Sequence, residues 1–302
     1  MRKYSIACSE FITGFRKPFH VGPTGDSTET VFVNDYNLYY QMDPEKPGTA
    51  TPITKDGNYL LRYGVPDWLY EGEWKALPEG FDDRAVNRIY IPKYLKGSQY
   101  PQYMEIPYPK AGVEENPITE LYMYSLKTKK SVVVEPPAQL TNMNQSFYIF
   151  SNQWLKMPAP VSSSLGEERL ATVWSNREQN LVYITLCNES DCVTAHIQSF
   201  TLKGRSMWAE PTDFKAILAS ETGFFTILPH PHTDGNIYNH VAHLKLRLSI
   251  SSLSSVVSDC DYGSYEVSPD GRRAALSCIQ PFRNTRMYLM DVNTPTNSEF
   301  SN

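Results

Sequence analysis

Turn chemistry constrains this chain more than any apolar run does. The pattern X-Asp-Gly, two further residues, then an apolar strand occurs at Lys55-Asp56-Gly57, Thr233-Asp234-Gly235 and Pro269-Asp270-Gly271. Asp-Gly marks a tight turn because Gly, and less readily Asp, tolerates positive φ. A second recurring element is an aromatic strand that closes in a polar turn and returns, as at Leu38-Tyr39-Tyr40-Gln41-Met42, Leu121-Tyr122-Met123-Tyr124-Ser125 and Met287-Tyr288-Leu289-Met290-Asp291. The chain holds 20 Tyr, 13 Phe and 5 Trp beside 22 Pro and 16 Gly. Aromatic side chains favour strands and Pro and Gly punctuate turns, so the expectation is an all-β protein of many short strands. The two elements together describe an antiparallel unit of roughly 40–50 residues, the size of one β-propeller blade, the alternative being a β-sandwich of unrelated hairpins.

Strands are expected at 30–42, 59–63, 121–126, 131–134, 146–150, 170–174, 181–186, 193–201, 224–228, 264–267, 274–277 and 286–292. Helical signals are nearly absent; residues 209–221 are read as a short helix or turn. No linker or low-complexity boundary divides the 302 residues, which predicts one domain over 29–292 with poorly ordered ends at 1–28 and 293–302.

A net charge of −5 with scattered basic residues gives no reason to expect a nucleic-acid partner. No stretch approaches the roughly 18 apolar residues that cross a bilayer. Met1-Arg2-Lys3 has the charge of a signal peptide without an apolar region behind it, so the chain read literally is neither inserted nor exported. The cysteines point the other way. Cys187 and Cys192 bracket a hairpin loop, and Cys260 and Cys278 flank a strand–turn–strand. Two cross-strand pairs plus Cys8 near the start favour disulfides over metal ligation, with four buried free thiols as the alternative. Asn144-Gln145-Ser146 and Asn188-Glu189-Ser190 are glycosylation acceptors by pattern. Cysteines and sequons together favour an extracellular or lumenal protein.

A hydrolase reading needs a nucleophile on a strained G-x-S-x-G turn, and no such string occurs. His230, His232, His240 and His243 raise a metal hypothesis with Asp234, because zinc or copper sites gather imidazoles and carboxylates. His230 and His232 fall in a Pro-flanked loop and His240 and His243 on opposite faces of any strand, so they are read as surface-loop and strand-edge residues and no metal is expected. No cofactor is implied. The segment Val65-Pro66-Asp67-Trp68-Leu69-Tyr70-Glu71-Gly72-Glu73-Trp74 sets two carboxylates among aromatic rings. Anionic groups against rings that exclude water suit a cationic ligand such as a free amino terminus; a solvated turn is the alternative.

That segment, with Tyr108-Pro109-Lys110-Ala111-Gly112 downstream, closely resembles the propeller domain of the dipeptidyl peptidase IV family of serine peptidases. The resemblance spans most of residues 30–292 in patches; Asn34–Tyr39 and Arg169–Arg177 are compatible with propeller strands. It implies a propeller that caps an α/β-hydrolase domain, with paired glutamates holding the substrate's amino group so that cleavage falls after the second residue, usually Pro or Ala. The family pattern is Asp-Trp-x-Tyr followed by three Glu, the last two being ligands. Here Gly72 stands where the first ligand belongs and Glu73 matches the second, with Glu71 beside it. Losing one charge-assisted contact to a buried ammonium costs roughly 1.5–3 kcal/mol. Compared with the family, blade strands are expected to be missing in 75–88 and in 243–260. At roughly 50 residues per blade the chain has room for about six at most, so an incomplete propeller is expected. The implied function is the amino-terminus-recognising portion of a serine aminodipeptidase, not catalytic by itself. The competing expectation is a non-catalytic module that binds peptides or proteins, or forms a homodimer or a heterodimer with a full-length relative; a third is a product that does not fold stably. By resemblance the protein is extracellular or cell-surface.

Overall fold

The computed structural model describes residues 19–20, 30–43, 46, 48–65, 79–125, 128–157, 168–202, 205–214, 217–220, 223–231, 235, 237–245, 249–252, 261–268, 272–279, 285–291 and 297–299. The fold is all-β, and its described strands form five four-stranded antiparallel sheets and two two-stranded hairpins. Each four-stranded sheet has the composition of a propeller blade. The chain groups into two compact units, residues 1–148 and 149–302.

In the first unit, β1 (Phe19–His20), β2 (Thr30–Asn34), β3 (Asn37–Gln41) and β4 (Thr51–Pro52) form a sheet in chain order. The strand expected over 30–42 is in fact two. Asp35 and Tyr36 take φ of 48° and 63°, and Asn34 pairs with Asn37 across this two-residue turn. Two successive left-handed residues match the twist of the flanking strands, which is why such hairpins select them. The Asn37 Oδ1 accepts from the Thr54 hydroxyl at 3.1 Å and the Gly57 amide at 2.9 Å. A Cβ on Gly57 would stand 2.3 Å from the Tyr36 carbonyl oxygen. Close backbone approach therefore demands this glycine, whereas Gly235 answers the expected need for positive φ, at 86°; Gly271 lies outside the described residues.

The second sheet holds β5 (Leu61–Tyr63) and β6 (Glu79–Asp82). A separate hairpin, β7 (Arg88–Lys93) and β8 (Gln102–Pro107), then intervenes before β9 (Ile118–Ser125) and β10 (Lys130–Val133) complete the sheet. The stretch after Trp74, expected to lack a blade strand, thus supplies β6. A single apolar residue, Phe81, marks it in sequence, and that residue is 1% exposed. Leu121 and Met123 share its buried face, while Tyr63 packs with Val31, Leu38 and Tyr40 of the first sheet. One helical turn, α1 (Ala138–Thr141), follows, anchored by buried Leu140.

In the second unit, β11 (Phe147–Lys156), β12 (Glu168–Asn176), β13 (Leu181–Cys187) and β14 (Cys192–Ser199) form a chain-order sheet. β12 and β13 are buried on both faces, with the Trp174 indole donating to the Thr185 hydroxyl at 2.9 Å. A short hairpin, β15 (Thr201–Leu202) and β16 (Arg205–Ser206), leads to a 3₁₀ turn at Pro211–Phe214. The predicted helix or turn over 209–221 therefore resolves into that turn and a strand. β17 (Leu218–Ser220), β18 (Gly223–Pro231), β19 (Ile237–Lys245) and β20 (Ser249–Ser252) form the fourth sheet. β21 (Asp261–Val267), β22 (Arg273–Ile279), β23 (Thr285–Asp291) and β24 (Asn297–Glu299) form the fifth. The region 243–260 is short but still delivers the fourth strand of its sheet. Phe225, Val241, Tyr265, Ala274, Leu276, Tyr288 and Met290 make one core between these two sheets.

Candidate functional site

Glu71 and Glu73 lie outside the described residues, as does all of 66–78. In chain order they fall between β5 and β6, whose facing ends are described. Tyr63, the last residue of β5, pairs with Gly80 of β6, so the acidic stretch connects two neighbouring antiparallel strands of one blade. The chain leaves β5 through Gly64 in the left-handed region at φ 71°, where a Cβ would meet the Leu38 side chain at 2.6 Å.

Register decides what stands beside the roots of this connection. Tyr63, Gly80 and Glu120 form one row across β5, β6 and β9, and Tyr122 follows two residues along β9 on the same face. The Tyr63 hydroxyl donates to Asp56 at 3.1 Å, and the Tyr122 hydroxyl donates to Glu120. The two rings meet edge to face with centroids 6.2 Å apart. Burial, reinforced by Asp56, pushes the Tyr63 phenol up to about 12. Burial and the bond to Glu120 raise Tyr122 as well. Both phenols therefore stay neutral donors at physiological pH. Arg84 bonds Asp82 and holds its carboxyl below the usual range. Arg62 pairs with buried Asp83 at 2.6 Å, only partly offsetting the desolvation that raises that acid. The ends of β5, β6 and β9 thus carry two neutral phenols bonded to the Asp56 and Glu120 carboxylates, with Asp82 and Asp83 each paired to an arginine.

The second resemblance motif forms the return from β8. Tyr108 donates its amide to the Asn87 carbonyl at 2.9 Å, and Gly112 takes φ 82°. A surface that the sequence reading missed is the hairpin β7–β8 itself, which exposes Tyr90, Tyr94, Tyr100 and Tyr103. Its base is tied down by the Tyr59 hydroxyl donating to the Glu105 carbonyl and by the Arg88–Glu105 ion pair at 2.8 Å. The signal lay in two facing runs, Ile89-Tyr90-Ile91 and Tyr103-Met104-Glu105-Ile106, that Pro92 and the surrounding charge disguised.

Cys187 and Cys192 are register partners at the end of β13 and β14 and form a disulfide. Cys278 in β22 is disulfide-bonded as well, its expected partner Cys260 lying outside the described residues. Of the two sequons, Asn144 is exposed at φ 51° after α1, and Asn188 sits in the loop that the Cys187–Cys192 bridge closes. The histidines do not behave as expected at the surface. His240 and His243 point to opposite faces of β19, but it is an inner strand with both faces covered, and they are 2% and 1% exposed. His243 Nε2 lies 2.7 Å from the Ser220 hydroxyl, with its ring stacked on Phe225. His230 is exposed with its ring centroid 5.0 Å from that of His240, and His232 and Asp234 lie outside the described residues. Among the described residues no three His, Cys, Asp or Glu side chains gather to hold a metal.

The comparisons with known proteins bear on these features together. The family model described as the dipeptidyl peptidase IV N-terminal region matches residues 8–268. Dipeptidyl peptidase family member 2 of Caenorhabditis elegans is 37% identical across 91% of this chain and 42% of its own length. Inactive dipeptidyl peptidase 10 of Mus musculus is 24% identical across 71% of the chain and 27% of its own length. The chain thus spans less than half of these relatives. A solved structure described as a dipeptidyl aminopeptidase IV from Bacteroides ovatus superposes with a TM-score of 0.65 over 89% of this chain and 38% of its own, at 13% identity, which establishes the shared fold. The chain belongs to the dipeptidyl peptidase IV family and corresponds to that family's N-terminal propeller region.

Proposed function

We propose that this chain is the propeller portion of a dipeptidyl peptidase IV-like serine aminodipeptidase, and that it recognises the free amino terminus of peptides without performing the acyl-transfer step itself. The observation that supports the reading is the family match over residues 8–268, which includes Asp67-Trp68-Leu69-Tyr70-Glu71-Gly72-Glu73; in chain order these residues lie between β5 and β6. Glu73 supplies the charge-assisted contact to the ammonium group, and Glu71 adds to the field. Paired disulfide cysteines in the second unit support an extracellular or cell-surface location, since such bonds persist in oxidising compartments. Calorimetric titration with a peptide carrying an N-terminal Xaa-Pro pair tests the reading. Glu73→Gln is expected to weaken binding about 10- to 100-fold, one charge-assisted contact's worth. Equal affinity for the N-acetylated peptide would defeat it.

A second reading, a propeller that binds another protein or a second copy, is favoured by the exposed tyrosine hairpin β7–β8. Isolated two-stranded hairpins are marginal in water, and aromatic residues concentrate at interfaces. Tyr90, Tyr94 and Tyr103 changed together to Ser are expected to lower the self-association seen by sedimentation velocity. An unchanged distribution removes that reading.

A further inference from the structure

The loop between β13 and β14 is built more firmly than a hairpin end requires. The Cys187–Cys192 disulfide closes it. Buried Arg169 reaches it from β12, bonding the Leu186 and Asp191 carbonyls at 3.3 Å each and the Asp191 carboxylate at 3.1 Å. Within it, the Asn188 Oδ1 accepts the backbone amides of Ser190 at 2.7 Å and Asp191 at 2.9 Å, while the Asn188 backbone amide donates to the Asp191 carbonyl at 2.9 Å. The carboxamide is therefore gripped through its oxygen, and its Nδ2 makes no hydrogen bond among the described residues. Glu189 and Ser190, the rest of the sequon, are exposed. Asn188 also stands at the head of β14, the last strand of its sheet among the described residues, where Val193 and Ile197 are 40% and 46% exposed. An open strand edge with apolar side chains invites pairing with another chain.

We infer that Asn188 carries an N-linked oligosaccharide whose bulk guards the free edge of β14. The inference rests on the extracellular reading given above. The donor is a lipid-pyrophosphate-linked oligosaccharide. Nδ2 forms the bond to the anomeric carbon and gives up one proton, as the bond from that carbon to the pyrophosphate oxygen breaks and the lipid pyrophosphate leaves with the electron pair.

The test uses the chain produced through a eukaryotic secretory pathway, treated with an amide-cleaving N-glycosidase in ¹⁸O-water, and read by mass spectrometry. Asn188 is expected to convert to labelled Asp. Ser190→Ala removes the acceptor hydroxyl but keeps the backbone amide that Asn188 grips. It is expected to abolish the conversion and to raise the oligomeric fraction in sedimentation velocity, as is enzymatic deglycosylation of the unaltered chain. Unmodified Asn188 in secreted protein whose Cys187–Cys192 bridge has formed overturns the inference while leaving the extracellular reading intact. Reduced Cys187 and Cys192 in that material defeat the extracellular reading and the inference with it. A glycan whose loss leaves sedimentation unchanged overturns the guarding role.

Discussion

His243 shows how much a single buried side chain decides. Its imidazole is covered on all sides, stacked at 4.6 Å on Phe225 and bonded to the Ser220 hydroxyl. Burial, with Lys245 adding like charge, pushes it from the usual 6.5 down to about 4. His196 is lowered by burial as well. A base whose folded value is depressed favours folding most where both states are neutral. Above pH 6.5 there is no penalty; as pH falls from 6.5 toward 4, the unfolded chain takes up a proton that the folded one refuses. The expected loss from His243 is about 2 kcal/mol at pH 5 relative to pH 7. Urea unfolding at both pH values checks this, with His243→Gln expected to be less sensitive to acidification by that amount. An identical pH response in the variant would remove the assignment. The sequence did show that His240 and His243 fall on opposite faces of a strand. It did not show that both faces are covered, since burial depends on which strands flank β19.

At the scale of elements, turn chemistry was legible only in part: Gly235 takes the positive φ read from its Asp-Gly pair, and Gly57 does not. Asp56-Gly57 reads as a tight turn in sequence, but the structure places the turn at Tyr59-Leu60, between bridged Asn58 and Leu61, and leaves Gly57 outside positive φ. The glycine is needed because a Cβ there would stand against the Tyr36 carbonyl, twenty-one residues earlier. Gly57→Ala is expected to cost about 2–4 kcal/mol, since backbone must move to admit the methyl. Gly97→Ala, at φ 85° with nothing within 4 Å, is expected to cost only the left-handed penalty of about 1–2 kcal/mol. Denaturant midpoints of the two variants decide the matter, and a Gly97 cost equal to or above that of Gly57 would contradict the close-approach argument. Strands with continuous apolar runs, such as β13 and β23, were readable; β6 was not, because Glu79-Gly80-Phe81-Asp82 offers one apolar residue whose burial comes from neighbours about 40 residues on. The candidate site divides the same way. Glu71 and Glu73 stood out as charge among rings, whereas Tyr63, Glu120 and Tyr122 come together only through strand register, which no local pattern encodes.

For the molecule as a whole, the covalent bonds are unevenly placed. The described disulfide cysteines, Cys187, Cys192 and Cys278, all belong to the unit 149–302, and the described strands of the unit 1–148 contain no cysteine. The Cys187–Cys192 bridge closes a loop of sequence separation 5. A loop that short restricts the unfolded chain modestly, giving about 2 kcal/mol in the chain-entropy account. Arg169 adds a local brace, because reduction would free the loop it bonds and leave a guanidinium buried at 3% exposure with weaker partners. Opening should then spread along β12, β13 and β14 rather than stay at the loop. Hydrogen exchange with and without a reductant tests this across the chain. Amides of β12–β14 and of β21–β22 are expected to exchange faster by about tenfold or more on reduction, the ratio that 1.4 kcal/mol or more of lost protection implies. Amides of β2, β3, β6 and β9 are expected to keep their rates. Uniform acceleration of both units would mean that the bridges constrain the whole chain as one cooperative body, and no acceleration would mean that packing alone sets the stability of the disulfide-bearing sheets.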